Sequence, residues 1–369
     1  MERTDGIRIA IIGSKGLPAV FGGIERHVEE IGRRLAGRGH RVTVFGRRPF
    51  STNGEYLGME VRVLPSIPTK NLETATNSLI ATLHSTFEPF DIIHYHGIGP
   101  SLFCWIPVAY KKKTVATIHA PDYRQRKWGG IASVLLRLGE RTAVRNAGGI
   151  VAVSKLMSRR LGERYGREIT YIPNGATLQE APDFDEAAGL GLESGRYILT
   201  VGRFIYERGF HTLLDAFRTI DTGMRLVIVG DARFEERYAA SLKGLADERT
   251  LFPGYIQGPL LSELYAHCAF YVLPSLLEGL PISLIEAMSF ARPVLVSDIP
   301  ENMEVAEGIG TTYAAGDAGD LARALKEMLT MGDEERRERG WRGRERVEEE
   351  YTWEHITDRL EELYRSLLV

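Results

Sequence analysis

Residues 7–35 have the sequence IRIAIIGSKGLPAVFGGIERHVEEIGRRL, in which a short apolar run is followed by a glycine-rich loop and then by a charged, periodic segment. The apolar run at residues 7–12 predicts a buried strand. From Ile24 to Leu35 the apolar residues recur every three or four positions, which predicts an amphipathic helix packed on a sheet. The segment therefore predicts the beginning of a β-α-β unit.

The same alternation of strand and helix patterns continues along the chain in two series. The strands predicted for the first series are residues 7–12, 42–45, 61–64, 92–96, 114–118, 150–153 and 170–172. After a polar stretch, the strands predicted for the second series are residues 197–201, 226–229, 250–252, 270–273 and 294–296. Two helical patterns complete the chain.

Strands separated by helices favour parallel sheets covered on both faces, so the predicted fold class is α/β. We expect two Rossmann-like domains, residues 1–177 and residues 178–352, with a C-terminal helix near residues 353–369 packing back on the first domain. Ligands of such sheets bind at the carboxyl ends of the strands, so we expect a cleft between the two sheets to be the binding site.

The composition is that of a globular protein, because 44% of the 369 residues are hydrophobic and 26% are charged. No apolar stretch approaches the roughly 18 residues of a membrane span, and residues 1–5 show no signal-peptide pattern. We therefore expect a cytoplasmic protein. Cys104 and Cys268 lie far apart in apolar runs and are predicted to be buried free thiols.

Charge is divided unequally between the two predicted domains. Residues 1–177 contain 26 Lys and Arg against 14 Asp and Glu, whereas residues 178–369 contain 20 against 35. The basic half suits an anionic partner such as a phosphorylated lipid carrier or a bilayer surface, and we expect no nucleic acid. Solvated faces and attraction between the domains are the alternative. The basic clusters are Lys111, Lys112 and Lys113, and Arg124, Arg126 and Lys127.

The loop at residues 13–23 is rich in glycine, which lets backbone N–H groups approach a phosphate or sugar at a helix terminus. A dinucleotide site would need Gly-x-Gly-x-x-Gly and an acidic residue at the end of the second strand. That strand is instead followed by Arg47 and Arg48, which argues against a nicotinamide cofactor. A purely steric turn is the alternative.

Residues 278–288, EGLPISLIEAM, follow a predicted strand and begin a helix. Pro281 and Ser283 suit the first helical turn, whose dipole would face an anion. Glu278 would lie in the loop, and Glu286 about two helical turns deeper on the same face. Two such carboxylates can bind two sets of sugar hydroxyls. The alternative is one loop acid and one exposed helical acid.

These residues carry a resemblance to glycosyltransferase family 4, the large "group 1" family of retaining enzymes with the two-Rossmann-domain GT-B fold. Glu278 and Glu286 match the Glu-x₇-Glu motif of that family, and residues 201–209 resemble its Val-Gly-Arg…Lys-Gly loop. Residues 13–25 and 119–128 further resemble a bacterial subgroup that includes rhamnosyltransferases of capsule and exopolysaccharide assembly. The resemblance spans nearly the whole chain and implies two parallel sheets facing across a cleft.

The resemblance implies that Arg203 and Arg208 clamp the donor diphosphate and compensate the charge of the leaving group. Other transferases use a metal ion for this purpose, so we expect neither a metal nor any other cofactor. The guanidinium fork suits phosphate oxygens. This chain departs from the family at Arg208, because the family usually has lysine there.

The resemblance also assigns the remaining donor contacts. It implies that Glu286 binds the ribose hydroxyls and that Glu278 binds the transferred sugar. The amides of Gly279 and Leu280 would complete the phosphate site.

In the first domain, His119 follows a predicted strand, and family members place a histidine here beside the donor sugar. Asp122 is predicted to contact the acceptor, with the donor as the alternative. Gly22 and Gly23 would let their loop approach the donor phosphates.

Two other patterns suggest metal sites. Asp183 and Asp185 form an Asp-x-Asp motif, but it lies in the polar stretch before the second series rather than at a strand end. His94 and His96 alternate onto one face of a strand, yet no nearby third ligand is evident in the sequence. We interpret the first as linker and the second as cleft-lining or core residues.

The predicted function is retaining, metal-independent transfer of a sugar from a nucleotide diphosphate sugar to a hydroxyl of a glycan or lipid-linked acceptor. We expect a role in bacterial cell-surface polysaccharide synthesis. The proposed route is front-face attack by the acceptor, with a covalent glycosyl-enzyme as the alternative. A nucleotide-sugar epimerase of the same fold and a non-catalytic donor-binding protein are the alternative functions.

Overall fold

The computed structural model describes residues 6–20, 22–69, 72–125, 129–231 and 236–369. Its chain divides into two compact units. Unit 1 comprises Met1–Asn174 and Trp353–Val369, and unit 2 comprises Gly175–Thr352. Within the described residues, no helix is long and apolar enough to cross a membrane.

Unit 1 is built on an eight-stranded sheet of order β3-β4-β2-β1-β5-β6-β7-β8. Its strands are β1 (Arg8–Ile12), β2 (Arg41–Arg47), β3 (Gly54–Tyr56), β4 (Met59–Leu64), β5 (Ile92–His96), β6 (Lys113–Ile118), β7 (Gly149–Ala152) and β8 (Thr170–Tyr171). Its helices are α1 (Gly23–Gly37), α2 (Leu72–Phe87), α3 (Trp105–Ala109), α4 (Gly130–Asn146), α5 (Lys155–Tyr165) and α13 (Trp353–Leu368).

Unit 2 has a six-stranded sheet of order β11-β10-β9-β12-β13-β14. Its strands are β9 (Tyr197–Val201), β10 (Arg225–Val229), β11 (Thr250–Gly254), β12 (Phe270–Leu273), β13 (Val294–Ser297) and β14 (Thr311–Tyr313). Its helices are α6 (Phe210–Phe217), α7 (Glu236–Leu245), α8 (Pro259–His267), α9 (Ile282–Ser289), α10 (Pro300–Ala306), α11 (Ala318–Thr330) and α12 (Asp333–Glu350).

The predicted α/β class is confirmed, because the ladders of unit 2 are parallel and those of unit 1 are parallel except at one edge. The exception is β3, which pairs antiparallel with β4. A two-residue turn, Leu57 and Gly58, joins them, and both residues have positive φ as a tight hairpin requires.

Helix α13 belongs to unit 1 although all of unit 2 precedes it in the chain. It buries Trp353, Ile356, Leu360 and Tyr364 along one stripe. The Tyr364 hydroxyl lies 2.6 Å from Nδ1 of His94 on β5. The last helix thus supplies a polar partner to the core of the first sheet. The two cysteines are buried and unpaired, as predicted.

Candidate active site

An ion pair between Arg208 and Glu278 lies in unit 2 beside the amino end of α9. Arg208 follows β9, and Glu278 lies between β12 and α9, so the two loops come from neighbouring strands of the sheet. Ser275 Oγ donates a second hydrogen bond to Glu278 Oε1, at 2.7 Å. The carboxylate is only 8% exposed and is held in place by both contacts. The structure therefore brings together two residues that lie 70 positions apart.

A further set of hydrogen bonds supports the loop that carries Glu278. Ser297 Oγ at the end of β13 donates to the carbonyl oxygen of Ser275 at 2.5 Å, and Asn302 Nδ2 on α10 donates to Ser297 Oγ at 2.9 Å. These residues were not predicted from the sequence. A usable signal was that Ser275 and Ser297 follow or end adjacent parallel strands. Ser297 and Asn302 thus hold Ser275, which in turn holds the carboxylate of Glu278.

Glu286 lies only one turn inside α9, because the helix begins at Ile282. Its side chain is half-buried. The expectation that it lies about two turns deeper was therefore wrong: three of the seven residues between Glu278 and Glu286 precede the helix. Its Oε2 accepts a hydrogen bond from the hydroxyl of Tyr265 at 3.1 Å. Burial raises the pKa of Tyr265 well above its usual value, so this hydroxyl remains a donor. Gly279 and Leu280 are buried in the loop before the helix.

The loop of Arg208 is joined closely to the loop of Glu278. Leu276 N–H donates to the carbonyl oxygen of Glu207 at 2.8 Å. Gly209 has φ +68°, and a Cβ added there would lie 1.9 Å from the carbonyl oxygen of Pro274. Only glycine combines this backbone conformation with this approach. Arg203 is in the same loop and is exposed.

We expect the substitution Gly209→Ala to destabilise unit 2 by about 3 kcal/mol or more, because it adds a steric clash to a left-handed backbone. Gly195→Ala is the matched control, since Gly195 has φ +72° and nothing within 4 Å of an added Cβ. It should cost only about 1–2 kcal/mol, the backbone part alone. Urea unfolding measures both. Equal losses would show that the contact with Pro274 is unimportant.

In unit 1, the glycine-rich loop is hydrogen-bonded to acids of the helix that follows it. Gly22 is the N-cap of α1, with φ +97°, and Gly23 is its first residue. Lys15 N–H donates to Glu25 Oε1 at 3.0 Å, and Ala19 N–H donates to Glu29 Oε2 at 2.7 Å. Two amides of this loop thus already bind carboxylates, which the sequence analysis did not predict.

Four buried histidines form a cluster in unit 1: His27 on α1, His94 and His96 on β5, and His119 after β6. His96 Nδ1 lies 3.0 Å from His119 Nε2, and the rings of His94 and His96 are 4.1 Å apart between centroids. The ring of His27 meets His119 edge-on at 4.9 Å. The structure therefore places His119 in a cluster that the sequence analysis missed.

Burial lowers the pKa of every histidine in this cluster. The pKa falls to about 4 for His27 and to about 3 for His94, and lies well below its usual value for His96 and His119. All four imidazoles are therefore neutral at pH 7. His119 can exchange hydrogen bonds with a sugar hydroxyl but cannot supply a positive charge.

The cluster also has the residue types of a metal site. One ring nitrogen from each of His27, His96 and His119 lies within 4.8 Å of the others, and imidazole is a common ligand of Zn²⁺. The structure thus supplies neighbours that the sequence did not reveal for His96. However, His96 and His119 share a hydrogen bond. Because an ion would have to displace that contact, the arrangement fits hydrogen bonding better than metal binding.

Asp122 begins a 3-10 turn, Asp122–Arg124, shortly after His119. Its Oδ1 accepts a hydrogen bond from Gln125 Nε2 at 3.0 Å. Arg126 and Lys127, predicted as part of a basic cluster, lie outside the described residues. His119 and Asp122 are thus held in one loop after β6.

Comparisons with known proteins give two family matches. The model described as Glycosyltransferase Family 4 matches residues 21–180, and the model described as Glycosyl transferases group 1 matches residues 184–346. The chain is 27% identical to the phosphatidyl-myo-inositol mannosyltransferase of Mycobacterium leprae over 94% of each chain. It is 26% identical to the O-antigen chain mannosyltransferase C of Escherichia coli over 95% of this chain and 96% of that protein.

Solved structures are similar along the whole chain. Sucrose-phosphate synthase from Thermosynechococcus elongatus superposes with a TM-score of 0.85 at 24% identity, covering 98% of this chain and 99% of that one. HepE of Anabaena, solved in complex with UDP-glucose, has a TM-score of 0.81 at 19% identity, covering 98% and 100%. These likenesses show the fold.

Proposed function

Because this chain is a glycosyltransferase of the GT-B fold, we propose that it transfers a sugar from a nucleoside diphosphate sugar to a hydroxyl of a glycan or lipid-linked acceptor. We further propose that transfer retains the anomeric configuration, needs no metal ion and serves cell-surface polysaccharide synthesis. The observation that carries the proposal is the Arg208–Glu278 pair at the amino end of α9. Both relatives are named as mannosyltransferases, which favours a hexose as the transferred sugar, and the resemblance to rhamnosyltransferases makes a 6-deoxyhexose such as rhamnose the alternative.

In this proposal Arg203 and Arg208 bind the donor diphosphate. Arg208 is already oriented by Glu278, so little side-chain entropy is lost when phosphate oxygens replace or join the carboxylate. The amides of Gly279 and Leu280, at the positive end of α9, add to the same charge stabilisation. A fixed cation and helix dipole then stabilise the leaving diphosphate without a metal ion.

Glu278 and Glu286 recognise hydroxyl groups of the donor. Carboxylates accept hydrogen bonds from hydroxyls, and each is already held by a hydroxyl donor, Ser275 for Glu278 and Tyr265 for Glu286. We propose that Glu286 binds the ribose and Glu278 the transferred sugar. His119 contributes a neutral imidazole to the sugar, and Asp122 binds the acceptor, while Gly22 and Gly23 let their loop approach the donor.

The bond changes are those of a front-face substitution. The acceptor oxygen forms a bond to the anomeric carbon while the bond from that carbon to the diphosphate oxygen breaks on the same face. The acceptor proton passes to the departing β-phosphate, and the nucleoside diphosphate leaves. Mass spectrometry of donor-treated enzyme tests this route: a glycosylated Asp or Glu would establish the covalent alternative instead.

A thermal-shift screen of UDP-, GDP- and dTDP-sugars, with Mg²⁺ or with a chelator, tests the donor site. A ligand at about 100 times its Kd stabilises the folded state by roughly 2.7 kcal/mol. We therefore expect one nucleotide family to raise the Tm by about 5–10 °C, equally with and without Mg²⁺. A shift that needs Mg²⁺ would contradict the metal-independent proposal. Donor conversion without any acceptor would indicate an epimerase.

No shift with any donor, on well-folded protein, would contradict donor binding itself. Glu286→Gln is the matched variant, because it preserves the shape of the side chain and the contact with Tyr265 while weakening acceptance from ribose hydroxyls. Its shift should fall by at least half. An unchanged shift would remove Glu286 from the donor site.

A further inference from the structure

Three helices of unit 1 that pack side by side carry a group of seven exposed, large apolar side chains, and an eighth follows α3 directly. Helix α3 packs against both α2 and α4, and the ring of Phe87 at the end of α2 meets that of Tyr110 after α3 at 5.1 Å. We call these eight residues the apolar surface: Leu83, Phe87, Trp105, Tyr110, Ile131, Val134, Leu135 and Leu138. Such a concentration on a folded unit indicates an interaction site.

Helix α4 is apolar on two opposite faces. Ile131, Val134, Leu135 and Leu138 have the spacing of one helical face, and Ile131 is 81% exposed. The opposite face buries Ala143 and Val144 in the core of unit 1. The outward stripe is therefore not needed for packing within the unit.

Basic residues are concentrated in the part of this surface formed by α3, α4 and the segment between them. Residues 105–146 contain nine Lys and Arg but only two Asp and Glu. One of these acids, Glu140, is buried and paired with Arg164, so it presents little charge to an approaching surface. The exposed cations of α4 and of the segment after α3 are Lys111, Lys113, Arg137, Arg141 and Arg145. The charge is complementary to an extended anionic surface.

We propose that the apolar surface docks on an anionic lipid bilayer. The aliphatic side chains of α4 enter the region between head groups and acyl chains, Trp105 and Tyr110 lie at the interface, and the cations meet lipid phosphates. The helix stripe and its basic neighbours have the arrangement of interfacial amphipathic helices. A bilayer also accounts for an excess of cations spread over 42 residues better than a single protein ligand does.

This surface adjoins the loop proposed to bind the acceptor. Helix α4 packs against the turn that contains Asp122, and the guanidinium of Arg137 lies 4.9 Å from the centre of the Tyr123 ring. A docked α4 would therefore bring that loop to the membrane, where a lipid-linked acceptor resides. This step rests on the proposed function, whereas lipid binding itself does not.

Sedimentation of the 369-residue chain with vesicles tests lipid binding without donor or acceptor, so its result is independent of activity. We expect binding to vesicles of equal parts phosphatidylcholine and phosphatidylglycerol, weaker binding to phosphatidylcholine alone, and a decrease with salt. The variant I131E/L135E changes two exposed residues and should bind about 100-fold more weakly with an unchanged Tm. If the wild-type protein sediments with neither vesicle type, the proposal is overturned.

Quenching by bromine-labelled lipids gives a second readout with an internal control. Trp105 is 53% exposed on α3, and Trp341 is 57% exposed on α12 of unit 2. Trp105→Phe should remove most of the vesicle-dependent quenching, whereas Trp341→Phe should remove almost none. The reverse result would overturn the assigned surface. A wild-type dimer that I131E/L135E converts to a monomer, without lipid binding in either, would instead identify a contact between two copies of the chain.

Discussion

Replacing Arg208 with alanine is expected to lower kcat/KM for sugar transfer by about 10²- to 10³-fold. The substitution removes a cation that Glu278 holds beside the amino end of α9, where we propose the diphosphate leaves. That cation costs no reorganisation during the reaction because it is already oriented. Steady-state rates with the donor found in the thermal-shift screen measure the loss.

Arg208→Lys is the matched control. Lysine preserves the positive charge but replaces the planar fork with a single ammonium, and the family usually has lysine at this position. We expect it to retain activity within about tenfold of the wild type. Because Arg208→Ala also leaves the buried Glu278 without its ion-pair partner, its Tm must be measured alongside. If the lysine variant is folded but as inactive as the alanine variant, charge compensation is not the role of this residue.

Unit 1 is expected to lose stability steeply between pH 6.5 and pH 5. Each histidine of the cluster has a pKa lowered by burial, so the unfolded chain binds protons in this range that the folded chain does not. Stability therefore rises with pH up to the unfolded pKa of about 6.5 and is fully present above it. A pKa of about 4, as for His27, corresponds to a loss of roughly 2 kcal/mol at pH 5.

The lowered pKa values of the other three histidines act in the same direction, so the loss is larger than that from His27 alone. We expect the Tm of unit 1 to fall by about 15 °C or more between pH 7.5 and pH 5, measured by circular dichroism. His94→Gln removes one titrating ring and should make this fall measurably smaller. His84→Gln, at an exposed position on α2, should leave it unchanged. A Tm that is constant over this range would show that the cluster is protonated at little cost.

The helical and strand patterns that could be predicted from sequence are those with enough residues to show a period. Strand β1 and helix α1 are long and strongly patterned, and the structure has them at residues 8–12 and 23–37. Strands β3 and β14 were missed because their residues, GEY and TTY, show neither an apolar run nor an alternation of apolar and polar residues. The antiparallel pairing of β3 with β4 depends on the Leu57-Gly58 turn. Leu-Gly is a weaker sequence signal for a tight hairpin than Asn-Gly.

The candidate site was less accessible to prediction, because its contacts join distant segments. Glu278 and Arg208 were singled out by resemblance, but nothing in either loop indicates that they pair. The histidine cluster combines α1 with two strand ends, so its members become neighbours only after β5 and β6 pair. The contacts of Glu25 and Glu29 with the glycine-rich loop were not predicted, but the sequence contains a signal for them. The two acids are one turn apart at the beginning of α1, directly after the loop whose amides they bind.

Helix α13 belongs to unit 1 but is synthesised after the whole of unit 2. On the ribosome, unit 2 can therefore be complete while the first sheet still lacks its final helix. Until then the nascent chain has no Tyr364 hydroxyl to satisfy His94 and no Trp353 ring to pack on His27. Unit 1 is thus the first unit to emerge from the ribosome but the last whose fold can be completed. This reverses the usual order, in which the N-terminal domain folds first.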